Sequence, residues 1–170
     1  MMLDQSMLGK QIEYDSHYNP DLLFPIPRQG KRDEIAVSTP LPFFGFDCWN
    51  HYEVSWLNEK GKPMVAIAEI IYSCDSPNII ESKSMKLYFN SLNNTPFKDA
   101  EAVRVRVMQD LERRVGASVA VTITALPLKK PQIFSDFAGV CIDGLDIACD
   151  AYRVDSSLLH TSDELVEETI

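Results

Sequence analysis

The amino-acid sequence predicts an α+β domain in which one antiparallel sheet carries two helices on a single face, in the order ββααββ. Three observations lead there. Residues 47–57 and 117–125 alternate in the period-two manner of half-buried strands. Residues 81–92 and 99–115 carry apolar side chains at helical spacing. Alternation then returns at 147–154, after both helices.

Taken in order, residues 18–45, YNPDLLFPIPRQGKRDEIAVSTPLPFFG, hold five prolines and two glycines. They should run as an extended arm over a neighbouring surface, outside the core. From Asp47 to Leu57, DCWNHYEVSWL places Cys48, Tyr52, Val54 and Trp56 on one side of a strand. The run MVAIAEIIYS at 64–73 is apolar on both faces except at Glu69, and NEKG at 58–61 joins the two strands as a hairpin. Met85, Tyr88, Phe89 and Leu92 then recur at i, i+3, i+4 and i+7, the stripe of an amphipathic helix. A second helix from Asp99 to Val115 buries Val103, Val107, Leu111 and Val115 and ends at Gly116. In ASVAVTITAL, residues Ala117, Val119, Val121, Ile123 and Ala125 share one face of a strand. The last strand, IACDAYRV at 147–154, follows an Asp143-Gly144 turn. The expected division is an arm over 1–46, a domain over 47–154 and an acidic tail or linker over 155–170.

At 170 residues the chain suits one domain that buries roughly two-thirds of its unfolded surface without a metal or disulfide staple. No apolar run approaches the ~20 residues of a bilayer span. The first residues lack the apolar core of a secretory signal, so a cytoplasmic location and no membrane partner are expected. A net charge of −9 argues against direct nucleic-acid binding, which needs Lys and Arg concentrated on one face. Lys31-Arg32, Lys83 with Lys86, Arg104 with Arg106, Arg113-Arg114 and Lys129-Lys130 read as solvated faces. Cys48, Cys74, Cys141 and Cys149 lack CxxC spacing and a nearby His pair, so no metal site is expected. They read as reduced thiols buried as small hydrophobes. His17, His51 and His160 are too scattered for a metal cluster or a triad.

The segment that carries chemistry is IIESKSMKLYF at 79–89. Its acid and hydroxyls lie where a helix begins, where unpaired backbone N–H groups and the dipole favour negative charge. Two readings stay open on the residues alone. Glu81 and Ser82 are helix-start residues, or a phosphate rests on Ser82, Lys83, Ser84 and Lys86 beside a carboxylate able to accept ring N–H donors.

The string ESKSMKLYFNS resembles the signature of the NADPH-dependent 7-cyano-7-deazaguanine reductases, the nitrile reductases of the queuosine pathway, which have the tunnelling fold (T-fold). PR followed by KRD at 27–33, PLPFFGFDCW at 40–49, YEVSWLNEKGKP at 52–63 and GVCIDGLDI at 139–147 resemble the bimodular form, so the likeness covers nearly the whole chain. The resemblance implies reduction of 7-cyano-7-deazaguanine to 7-aminomethyl-7-deazaguanine for tRNA modification, with NADPH as cofactor. Carried over by position, Ile80, Glu81 and Ser82 contact the substrate, and Ser82 with Lys83 contacts NADPH. Glu81 suits the part, since its carboxylate accepts two donors from a guanine-like edge.

The family's nucleophile is a cysteine four residues before the Gly of a Gly-Gln-Pro-Asp motif, and it forms a thioimide with the nitrile carbon. Here the matching stretch is LNEKGKPM. Leu57 stands at the cysteine position and Met64 at the acid position, both as core replacements, while Gly61 and Pro63 keep the turn. A Phe-His-Glu stretch is altered as well, since Phe97 is followed by Lys98 and Asp99. No catalytic residue is therefore assigned. Bimodular members keep ESKS in the N-terminal half and the Cys, the Asp and the His-Glu pair in the C-terminal half. This chain resembles the N-terminal half, and DELVEETI the start of the connection onward. The implied partners are the substrate, the C-terminal half and a second copy in a homodimer. The alternatives are a non-catalytic module that binds a purine-like ligand or assembles through sheet edges, and a cyclohydrolase-like T-fold enzyme, which the missing His/Cys metal set disfavours. Cys48, beside Trp49 and ahead of the turn, has no neighbour in sequence to lower its pKa and is not expected to replace the nucleophile.

Overall fold

The computed structural model describes residues 17–37, 39–127, 141–153 and 155–158. They fall in two compact units, Met1–Gln132 and Ile133–Ile170. The first holds strands β1 (Pro25–Pro27), β2 (Phe46–Leu57), β3 (Pro63–Ser73), β4 (Asn78–Ile80) and β5 (Val119–Ala125), with helices α1 (Arg28–Glu34), α2 (Ser82–Ser91) and α3 (Ala100–Val115). The chain is α+β, and every paired strand is antiparallel: β2-β3-β5 form one sheet and β1-β4 a second.

The β2–β3 hairpin forms as the sequence predicts. Asn58 Oδ1 accepts from the backbone N–H groups of Lys60 and Lys62, both at 2.9 Å. Gly61 takes φ +77°, a left-handed conformation that glycine adopts without steric cost. Along β2 the expected parity fails. The register shifts between His51 and Val54, and the extra residue of such a bulge moves the following side chains to the opposite face. Val54 and Trp56 are buried at 1% and 2% exposure, whereas Cys48 is exposed and Tyr52 is 65% exposed. A strict period of two cannot see this shift.

The core face of the sheet carries Val54, Trp56, Ala66, Ala68, Ile70, Tyr72, Val119 and Val121, and the apolar stripes of both helices join the same cluster. Met85, Tyr88, Phe89 and Leu92 of the α2 region and Val103, Val107, Leu111 and Val115 of α3 are all buried, as expected. Asp99 caps α3 by accepting from the Ala102 N–H at 2.8 Å. Gly116 ends the helix in the left-handed conformation, its N–H donating to the Glu112 carbonyl at 2.9 Å.

His51 stacks on Phe89 with ring centroids 4.1 Å apart. Burial pulls its imidazole below the ordinary value of 6.5, and Lys86 adds to that, while Glu53 opposes it. The unfolded chain therefore takes up this proton first as pH falls through 6.5. Stability present above that value is lost below it. His51→Phe should flatten the decline in melting temperature between about pH 7 and about pH 5, as thermal scans at both pH values would show.

Three expectations need correction. Residues 18–45 are not outside the core, because Leu23 is 1% exposed and belongs to the main cluster. Two prolines did not prevent pairing there. Pro25 and Pro27 flank Ile26 in β1, whose partners are Ile80, Ile79 and Asn78, and a short edge strand tolerates prolines where no N–H is needed. The strand expected over 147–154 is not found in its described residues 147–153, which are exposed, Tyr152 at 91%. Alternation without a face to bury does not make a strand. From β2 onward the described order is thus βββααβ, with β4 an element that the sequence pattern missed. In the second unit the Asp143-Gly144 turn is present, and a single 3-10 turn spans Ser156–Leu158.

Candidate functional site

Ile80, Glu81, Ser82 and Lys83 form the junction between β4 and α2. Ile80 is 1% exposed, lies in the core and pairs with Pro25 across β4 and β1. Glu81 keeps an extended backbone at φ −64°, ψ 132° and caps the helix. Its Oε1 accepts from the Lys83 N–H at 2.8 Å and its Oε2 from the Ser84 N–H at 2.7 Å. The negative charge thus sits where the helix dipole favours it. A carboxylate has about four acceptor positions, and two are taken here. Glu81 is 5% exposed, Ser82 is exposed and Lys83 is half-buried. The structure therefore brings the four expected residues together at one junction.

The helix-start reading holds for Glu81. The phosphate reading fails at Ser84, which is 0% exposed. Its Oγ donates to the Glu81 carbonyl at 2.7 Å and accepts from the Phe24 N–H at 3.0 Å, so no surface remains for an anion. Phe24 also accepts the Glu81 N–H at 2.9 Å. The arm thereby reaches the junction through main-chain bonds, which leave no signal in the pattern of side chains.

Beneath Ile80 lies a polar group drawn from four separate segments. Arg28 pairs with Asp47, donates from Nε to Ser76 Oγ at 3.1 Å, and lies 5.9 Å from the centre of the Tyr72 ring. The Tyr72 hydroxyl finds no hydrogen-bond partner among the described residues. Burial pushes this phenol up and Asp47 adds to the shift, while the Ile80 amide, Trp49 and Arg28 oppose it. Linear spacing gives no hint of this convergence.

The four cysteines are free, but none is buried: Cys48, Cys141 and Cys149 are exposed and Cys74 is intermediate. Cys48 faces away from the core because the bulge that buries Val54 leaves it on the other side of the sheet. Partial desolvation and the Glu69 carboxylate push its thiol up, against the low pKa that a nucleophile needs. Met64 packs against the core, as its role of replacement predicts. Leu57 is only half-buried and acts through its main chain, donating to Thr95 O at 3.0 Å and accepting from Phe97 N–H at 2.8 Å. In the altered stretch Phe97 packs on the core and Asp99 caps α3.

Three of the basic clusters form ion pairs within the chain. Lys31 pairs with Glu34, Arg104 with Glu101, Arg113 with Asp110 and Arg114 with Asp21. Lys129, Lys130 and His160 lie outside the described residues. One cavity, lined by Asn50, Tyr52, Glu69 and Thr122 among others, opens on the outer face of the sheet; a second lies beside Asp21, Arg113 and Arg114. Neither is lined by residues 80–83. No helix of the described residues is long and apolar enough to cross a membrane.

Residues 14–123 match the family described as nitrile reductase, 7-cyano-7-deazaguanine-reductase N-term. The chain is 54% identical over 169 residues to the NADPH-dependent 7-cyano-7-deazaguanine reductase of Legionella pneumophila (strain Lens), covering 98% of this chain and 59% of that protein. It is 49% identical over 168 residues to the protein of the same name from Azoarcus sp. (strain BH72), with 98% and 60% covered. For the Paraburkholderia xenovorans (strain LB400) protein, again of that name, identity is 44% over 173 residues, with 100% and 63% covered. The chain thus spans about three-fifths of the length of these curated relatives. With ESKS at the start of α2 and a family match across most of the first unit, the chain belongs to the N-terminal family of the 7-cyano-7-deazaguanine nitrile reductases.

Proposed function

We propose that the chain is the N-terminal part of an NADPH-dependent 7-cyano-7-deazaguanine reductase. In this reading Ile80, Glu81 and Ser82 contact the substrate, and Ser82 with Lys83 contacts NADPH. The observation that carries it is the Glu81 carboxylate, held by two backbone N–H groups with acceptor positions to spare. Such a group matches the N–H donors on the edge of a guanine-like ring, and holding it rigid beforehand removes an ordering cost from binding. An exposed Ser82 hydroxyl and the Lys83 ammonium, at a helix start, are the donor and cation that a phosphorylated cofactor needs. Reducing a nitrile to an aminomethyl group adds two hydrides to carbon and two protons to nitrogen, and two NADPH molecules would supply the hydrides. The nucleophilic cysteine and the acid belong, in this reading, to a C-terminal part that follows residues 155–170 as linker. Residues 47–154 would then form a T-fold domain preceded by the 1–46 arm, in a cytoplasmic homodimer.

Calorimetric titration of the full-length protein with 7-cyano-7-deazaguanine tests this. Glu81→Gln keeps the shape and removes the charge, so affinity should fall about 10- to 100-fold, in line with the ~1.5–3 kcal/mol of a hydrogen bond to a charged group. An unchanged affinity removes Glu81 from the site.

A further inference from the structure

We infer that Ser84 is a positioning residue for the Glu81 carboxylate, acting through the main chain of Phe24; this rests on the proposed role of Glu81. Ser84 stands inside α2 with no exposure, where alanine would favour the helix more. Its hydroxyl is spent on two bonds that tie the arm to the start of α2. It donates to the Glu81 carbonyl at 2.7 Å and accepts the Phe24 N–H at 3.0 Å. The Phe24 carbonyl in turn accepts the Glu81 N–H at 2.9 Å. A closed ring therefore runs from Phe24 N–H to Ser84 Oγ, from Ser84 O–H to Glu81 C=O, and from Glu81 N–H back to Phe24 C=O. The Ser84 N–H adds a fourth bond, to Glu81 Oε2 at 2.7 Å.

This ring fixes the Glu81 backbone on both its N–H and its C=O, while the cap bonds fix both carboxylate oxygens. The three bonds of the ring all begin or end on Glu81, Ser84 or Phe24, and Lys83 donates its own N–H to Oε1. Small displacements of a positioned group cost binding and rate steeply. Loss of the Ser84 hydroxyl frees the Glu81 carbonyl from one donor and leaves the Phe24 N–H without its acceptor at a part-buried place. The carboxylate then keeps its cap bonds and its chemistry, but the helix start that carries it is tied to the arm by one bond fewer.

The test uses the full-length protein with wild type, Ser84→Ala, Ser84→Thr and Glu81→Gln, titrated separately with 7-cyano-7-deazaguanine and NADPH. Ser84→Ala should weaken the first ligand at least tenfold and change NADPH affinity less than twofold. Ser84→Thr retains a hydroxyl able to reach the carbonyl one turn back and should recover most of the loss. Equal weakening of both ligands assigns Ser84 a merely structural role and overturns the inference. Wild-type affinity in Ser84→Ala beside a weakened Glu81→Gln overturns it too, leaving the role of Glu81 intact. If neither variant weakens the first ligand, the reading of Glu81 itself has failed. Should Ser84→Ala not fold, Ser84→Cys keeps the size and weakens the bonds. The same selective loss supports the inference, and an equal loss overturns it.

Discussion

Replacing Phe89 by alanine should destabilise the protein by about 3–5 kcal/mol, the usual cost of deleting a buried aromatic ring. Phe89 is 0% exposed, stacked on His51 at 4.1 Å and set edge-on to Tyr88 at 5.5 Å and 71°. It joins the bulged strand β2 to helix α2, and its removal leaves a void between two elements that cannot both relax into it. Global stability of a domain is commonly about 5–15 kcal/mol, so this one change takes a large share. Lys86→Ala, on the exposed side of the same helix, should stay within about 0.5 kcal/mol. Urea unfolding midpoints for the two variants make the comparison, and a Phe89→Ala loss below about 1 kcal/mol would contradict the packing described above.

A second large loss, on the order of 3 kcal/mol, is expected for Asp110→Ala, because hydrogen bonds to a buried charged group contribute ~1.5–3 kcal/mol each. Asp110 is 1% exposed. Its Oδ2 accepts from Tyr18 at 2.5 Å and Tyr88 at 2.8 Å, and its Oδ1 faces Arg113 at 3.3 Å. Asp110→Asn keeps an acceptor and should lose less. The tyrosines add a pH signature. Burial, reinforced by Asp110, pushes Tyr18 up to about 12, and Tyr88 rises for the same causes. Unfolded tyrosines lose their protons near 10.0, ahead of the folded ones. Stability is therefore intact below that value and declines as pH rises above it. Unfolding midpoints measured at rising alkaline pH should fall less steeply for a Tyr18→Phe, Tyr88→Phe protein. An unaltered slope would show that these hydroxyls do not share the buried carboxylate.

The helices were legible because their periodicity is set by residues that bury one stripe. Met85, Tyr88, Phe89 and Leu92 keep that stripe whatever packs on it. The ends were legible too, since Asp99 and Gly116 act within a turn of the helix they close. Glu81 was legible as a helix-start residue for the same local reason. What escaped was non-local. The bulge between His51 and Val54 reverses which residues face inward, and nothing in DCWNHYEVSWL marks the extra residue. The prolines of the arm argue for an extended chain, which β1 is, but the 3-10 turn Pro20–Leu22 and helix α1 over Arg28–Glu34 break that expectation, and the prolines do not reveal that Leu23 finds a place in the core. The cysteines misled because the burial of a thiol depends on which face its strand presents. The role of Ser84 was hidden since its partners are main-chain atoms, one of them sixty residues away.

The docking of the arm redraws where the protein can be cut. Dissection at residue 46 would follow the compositional boundary and spare the three-stranded sheet. It would also remove Leu23 from the core, the partner strand of β4, the Tyr18 donor to Asp110, and both main-chain groups of Phe24 that hold Glu81 and Ser84. The smallest piece that retains every one of these contacts therefore begins no later than Tyr18. A recombinant piece trimmed to the sheet would keep the motif and lose its setting.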